Sequence, residues 1–181
     1  NIVLKLKEVD ADVILPSHYY GEGVLFLRTL QRQKLQPKGI YSVLGGASSQ
    51  YRFLSDFPDA AQYVMDCNHW YDPNNSASIA ARKKTEAAGK HFNYEVFLAY
   101  TAMKFTADAI ERAGSSDREK ITEAMASSNW SGHFMPYGQT KMVNGQNMGA
   151  QPLATQVLGK EIEVIAPSKY ATAKALFPRP A

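Results

Sequence analysis

Cysteine is almost absent from this chain. Cys67 is the single one in 181 residues, so no internal disulfide can form and the redox compartment is left open. A lone Cys67 reads as a small buried hydrophobe. No apolar run approaches the roughly 18 residues that a membrane span needs, and no signal-peptide pattern is visible. Charge is nearly balanced, with a formal excess of +3, and the basic residues are scattered except for Arg82, Lys83 and Lys84. That short run sits in a helical pattern and reads as a solvated face, which argues against a nucleic-acid partner. The four histidines, His18, His69, His91 and His133, pair with no Cys, Asp or Glu at a zinc spacing, so neither a metal nor another cofactor is expected. There is no phosphate-binding glycine motif and no GxSxG elbow. Ser17 and His18 are adjacent, and neighbours on an extended segment point to opposite sides, which is poor geometry for a nucleophile and its base. No enzymatic activity is expected. What the chain does have is a 45% hydrophobic composition with 10 Tyr and 8 Phe, enough for a packed core without staples.

The stretch that organises the rest is DVILPSHYYGEG, Asp12 to Gly23. An apolar run halts at Pro16 and a polar-aromatic loop follows. Then a helix pattern over 21–35 carries Val24, Leu27, Leu30 and Leu35 at near-helical spacing. Before it, NIVLKLKEV reads as the back half of a helix, with Ile2, Val3, Leu6 and Val9 on one stripe. The expectation is that the chain belongs to something longer. Residues 12–16 are expected as a strand buried on both faces, and GIYSVL at 39–44 as a second strand. The pair Gly45-Gly46 then opens into Ala47, Ser48 and Ser49, either serine being a plausible N-cap for the helix RFLSDF. A third strand is expected over 61–67, AQYVMDC. This alternation predicts a parallel sheet with helical crossovers.

At Asn68 the character changes. NHWYDPNNSAS is rich in turn formers and aromatics and reads as a connection between lobes, with Trp70 and Tyr71 packing there. Helices are expected at 76–91 and 94–113, the second with Asn93 as N-cap and Gly114 as C-cap. A shorter one, DREKITEAMA, has Ser116 as cap and Glu119 completing a capping box. Trp130 reads as core. The tail reads as short strands joined by turns, with a hairpin at Gly159-Lys160 between ATQVL and EIEVIA.

Two loops are candidate binding elements. In an open α/β sheet, ligands sit at the carboxyl ends of strands. His18, Tyr19 and Tyr20 supply donors and flat amphipathic surface for a small molecule. Tyr20 reads equally as packing under the next helix. Gly45 to Ser49 is the second loop, its serines and backbone N–H groups suited to an anionic or carbonyl group, or simply to capping.

The whole pattern resembles the type I periplasmic binding proteins of the branched-chain amino acid (leucine/isoleucine/valine) ABC transporter class, in their C-terminal half. The resemblance is carried by ADVILPSHYYGEGVLFLRTLQRQKL, by the GG loop after GIYSVL, and by YEVFLAYTAMKFTADAIERAGSSDREKITEAMA. NGQNMGAQPLATQVLGKEIEVIAP and YATAKALFPRPA complete it, so nearly the whole chain is covered. It implies a two-lobed α/β fold. Residues 1–68 would be the later part of the second lobe, 69–75 a hinge crossover and 76–128 a helical return into the first lobe. Residues 129–181 would be a crossover followed by terminal strands. It implies a periplasmic or extracytoplasmic solute-binding protein that closes over a small molecule in an interlobe cleft and hands it to the membrane subunits of an ABC permease. The same fold also serves ligand-sensing regulators and receptors. By that likeness Tyr19 stands where the family sets a tyrosine against the ligand, and Tyr94 and Glu95 open the helix that faces the cleft. Ala47 departs from the pattern, since amino-acid binders of this class commonly put an acidic residue in this loop. A buried ammonium without a carboxylate costs several kcal/mol, so Glu22, Asp66 or Glu95 would have to substitute. The loop with Ala47 and Ser48 fits an amide, a carboxylate or an aromatic acid at least as well.

Overall fold

The computed structural model describes residues 2–44 and 46–180. Gly45, the first of the expected glycine pair, lies outside the described residues. The chain divides into two compact units: Asn1–His69 with Leu153–Ala181, and Trp70–Pro152.

Unit 1 alternates as the sequence predicts. Its elements are α1 (Ile2–Val9), β1 (Val13–Ile14), α2 (Tyr20–Arg32), β2 (Gly39–Val43), α3 (Tyr51–Asp56), α4 (Pro58–Ala61) and β3 (Met65–Asn68). The returning segment adds β6 (Leu153–Leu158) and β7 (Glu161–Ala166), and the sheet order is β1-β2-β3-β6-β7. β1, β2 and β3 run parallel, whereas β6 and β7 are antiparallel to their neighbours. The β6–β7 turn falls at the expected place, and Gly159 adopts a φ of 64°, which a side chain would disfavour. Leu27 and Leu30, on the predicted stripe of α2, are each 2% exposed, and such burial is worth about 1.5–3 kcal/mol per side chain. Behind the sheet, buried Gln156 donates from Nε2 to the carbonyls of Tyr63 and Leu176 and accepts from the Leu176 N–H at 2.9 Å, which pins the extended C-terminal segment.

Three expectations in this unit are corrected. The first strand is short and is not buried on both faces. β1 is the sheet's edge, and Val13 and Leu15 are 39% and 68% exposed. Neither Ser48 nor Ser49 caps α3, whose N-cap is Gln50 without a side-chain capping bond. Part of the expected third strand is used by α4, so β3 starts only at Met65. Cys67, in β3, is half-buried and free.

Unit 2 holds α5 (Ser76–Ala87), α6 (Tyr94–Ala113) and α7 (Arg118–Ala126), followed by a small antiparallel pair, β4 (Met142–Val143) and β5 (Gln146–Asn147). Its core is aromatic. Trp70, Tyr71, Phe92, Phe97 and Phe134 are buried with ring centroids 5.0–6.0 Å apart in tilted, edge-on or stacked pairs. Such pairs add about 0.5–1.5 kcal/mol each beyond area burial. Trp70 and Tyr71 are therefore packing residues, and Trp130 is half-buried against Phe105 and His133. Burial pushes the His133 imidazole below its ordinary value, with the Gly138 backbone opposing. Gly114 closes α6 in the left-handed region at φ 57°, as expected. α7 is capped by Asp117 rather than Ser116. The Asp117 carboxylate accepts the N–H groups of Glu119 and Lys120, and charge-assisted acceptance at a positive helix end outcompetes a hydroxyl. Among the described residues no helix is long and apolar enough to cross a membrane.

Candidate functional site

Both candidate loops leave the carboxyl ends of neighbouring parallel strands in unit 1, and the structure packs one on the other. The first runs from Leu15 to Tyr19, between β1 and α2. Pro16 ends the strand because it has no N–H to give a ladder. Tyr19 takes the N-cap position of α2 in extended backbone and makes no side-chain cap. Its carbonyl instead accepts the Gly23 N–H at 2.9 Å and His18 Nδ1 at 3.2 Å. The Tyr19 side chain is 85% exposed. His18 Nε2 is buried without a hydrogen-bond partner among the described residues.

Tyr20 is half-buried, with the Arg52 guanidinium of α3 5.7 Å from its ring centroid. Burial raises its phenol above the ordinary value, Arg52 opposing and Asp56 adding. Tyr20 is itself the first residue of α2, and the contact its ring makes is with Arg52 of α3. Glu22 is exposed in the first turn of α2, where an acidic group suits the helix dipole.

The second loop joins β2 to α3. Its described residues Gly46, Ala47, Ser48 and Ser49 are all buried, Ala47 and Ser49 completely. Their side chains present no free surface. A Cβ on Gly46 would stand 2.8 Å from the Tyr20 backbone nitrogen, and one on Gly23 would collide with the His18 ring and lie 3.1 Å from the Ala47 Cβ. Two glycines thus let the loops close on each other, and neither was singled out for that role in the sequence. The only signal was that both are glycines flanking the two loops.

Asp66, on β3, is 1% exposed and accepts the Ser49 hydroxyl. It faces no solvent, so it offers no carboxylate to a ligand's ammonium in this structure. Tyr41, on β2, has its phenol pushed up to about 12 by burial first, then by Cys67 and Asp66. Tyr94 and Glu95 lie in unit 2, in the first turn of α6, half-buried and exposed respectively.

Unit 1 also has an apolar groove of about 670 Å³, lined by Ile2, Leu6, Leu15, Leu25 and His18 among others. Its polar lining comes from Ser17, His18, Glu22 and Thr29, set among apolar side chains, which is the composition of a small-molecule pocket.

Similarity to known proteins follows the same outline. The chain matches the periplasmic binding protein family over residues 1–165. It is 23% identical over 188 aligned positions to the Leu/Ile/Val-binding protein homolog 7 of Brucella abortus, covering 99% of this chain and 47% of that protein. Among solved structures, the leucine binding protein LivK of Thermotoga maritima superposes with a TM-score of 0.77 at 22% identity, over 91% of this chain and 47% of that one. A fatty acid ABC transporter substrate-binding protein from Thermomonospora curvata gives 0.69 at 12% identity, over 98% of this chain and 49% of its own. At such identities these structures establish the fold. The chain spans about half the length of the curated relatives it matches (47%). On the match over residues 1–165 and the shared α/β architecture, this chain belongs to the periplasmic binding protein family.

Proposed function

We propose that the whole protein is an extracytoplasmic solute-binding protein of an ABC importer, and that unit 1 supplies one wall of its ligand site. The observation that carries this reading is Tyr19. It is a large aromatic side chain, 85% exposed, fixed at the carboxyl end of a parallel strand by two hydrogen bonds to its carbonyl. An exposed aromatic on a rigid backbone is suited to stacking on a small solute at little entropic cost. His18 stands beside it with Nδ1 on the Tyr19 carbonyl and Nε2 buried, so it would hold the Tyr19 backbone rather than meet the solute. Ala47 and Ser48 back this wall rather than touch the ligand with their side chains, and Tyr20 supports it through Arg52. Closure is then a population shift set by contacts that the ligand makes in the closed form, and a membrane permease reads that form.

Known relatives carry names for leucine, for leucine, isoleucine and valine, and for fatty acids. The loop of this chain has no acidic residue at Ala47, and Asp66 is sealed. An amide, a carboxylate or an aromatic acid therefore suits this wall at least as well as an α-amino acid, whose ammonium would need the exposed Glu22 or Glu95. A thermal-shift screen of the full-length protein with amino acids, amides, fatty acids and aromatic acids tests this, because stabilisation tracks affinity. Amides or acids lacking an ammonium should raise the melting temperature at least as much as α-amino acids do. A shift by α-amino acids alone would reverse the ligand assignment, and no shift with any class would remove the binding reading.

A further inference from the structure

Asp66 is a buried carboxylate that the proposed ligand contacts do not use. It sits in the middle of the unit 1 sheet. In register it stands beside Ser42 of β2 and Thr155 of β6, and partners in register share a face of the sheet. All three are no more than 1% exposed. The Ser42 hydroxyl has no partner among the described residues, and the Thr155 hydroxyl is directed at the Asp66 carbonyl from 3.5 Å. A carboxylate in such a place is costly unless donors reach it. One donor that reaches this one comes from another element: the Ser49 hydroxyl, at the end of the β2–α3 loop. That same loop, through Gly46, lies against the Tyr20 backbone nitrogen and the Tyr19 carbonyl carbon, with Ala47 against Gly23. A continuous line of contact therefore runs from the sheet centre to the backbone that presents Tyr19.

We propose that Asp66 is a positioning residue. Through Ser49 it latches the β2–α3 loop onto the sheet, and the latched loop holds the backbone of Tyr19 and Tyr20 in place. The carboxylate acts through the loop and never meets the ligand. That Tyr19 is a ligand contact rests on the reading above; the latch itself does not.

The latch is tested by amide hydrogen exchange on the full-length protein carrying Ser49→Ala, Asp66→Asn or both. Exchange at 46–50 should rise about 10- to 100-fold in Ser49→Ala, with a smaller rise at 19–23, while the β6–β7 hairpin keeps wild-type protection. The double variant should be no faster than the faster single one, as expected for two ends of one interaction. Ser49→Ala removes only a hydroxyl, so it keeps the test alive if Asp66→Asn fails to fold. Unchanged exchange at 46–50 in Ser49→Ala would overturn the proposal, as would an equal rise in the hairpin, which signals global loosening. Binding of benzoate and L-leucine, measured by calorimetry on the same variants, separates the two readings. If neither probe binds the wild type but exchange at 46–50 rises as stated, the latch stands and the ligand reading loses support.

Discussion

The loops after β1 and β2 are equivalent in topology and opposite in character. Both connect a parallel strand to the following helix, at the end of the sheet where α/β proteins hold ligands. The first carries Tyr19 into solvent at 85% exposure, on a backbone tied by hydrogen bonds to its carbonyl. The second is made of small residues, sealed to 0% at Ala47 and Ser49 and tied to a buried carboxylate. The contrast separates recognition from support. Of two polar loops at equivalent positions, one has surface to offer and the other has geometry to maintain.

Substitutions can sharpen or break that division. Tyr19→Ala should have the largest effect on binding, about 30- to 100-fold in affinity for the solute that best stabilises the wild type, as for a central aromatic anchor. Its melting temperature should stay within about 1 °C of wild type, because so exposed a ring holds little of the fold. A large loss of stability with unchanged calorimetric affinity would make Tyr19 structural and erase the contrast. Gly46→Ala should act the other way, lowering stability in urea unfolding by about 1–3 kcal/mol. Its Cβ would meet the Tyr20 backbone, which cannot swing aside.

Gly23→Ala should cost less, about 1 kcal/mol. Its obstacle is the His18 ring, and alanine is the better helix former in α2. Adding His18→Ala to it should recover most of that loss, and failure to recover would place the conflict at Ala47 instead. Leu15→Ser should be the mildest, under about 0.5 kcal/mol in the 181-residue chain, because Leu15 is 68% exposed at the sheet edge. A cost of several kcal/mol would show that the first loop is packed as tightly as the second.

The elements of both units were legible because they rest on local rules. Leu27 and Leu30 repeat at helical spacing, Gly114 can take a left-handed φ, and Gly159 permits the hairpin turn. The strand–loop–helix reading of both candidate loops came from the same rules. Where the reading failed, competition between partners decided. Ser49 could have capped α3, but its hydroxyl serves Asp66, 17 residues further along the chain. Ser116 could have capped α7, but Asp117 next to it is the stronger acceptor. The run over 12–16 is apolar enough for a central strand, yet β1 sits at the edge, and an edge is a property of the sheet order.

By itself the sequence determined the alternation of strands and helices, the positions of the two loops and the family pattern they carry. Periodicity, turn residues and motif order are written in neighbouring positions. Only the tertiary structure decided which loop is open. Exposure depends on what packs on a residue from elsewhere in the chain, and here that means Gly23 beside His18, Gly46 against Tyr20 and Asp66 beneath Ser49. The same physics set the fate of Asp66. In the sequence it was one more candidate carboxylate for a ligand, and the fold leaves it 1% exposed with a hydroxyl donor from the β2–α3 loop.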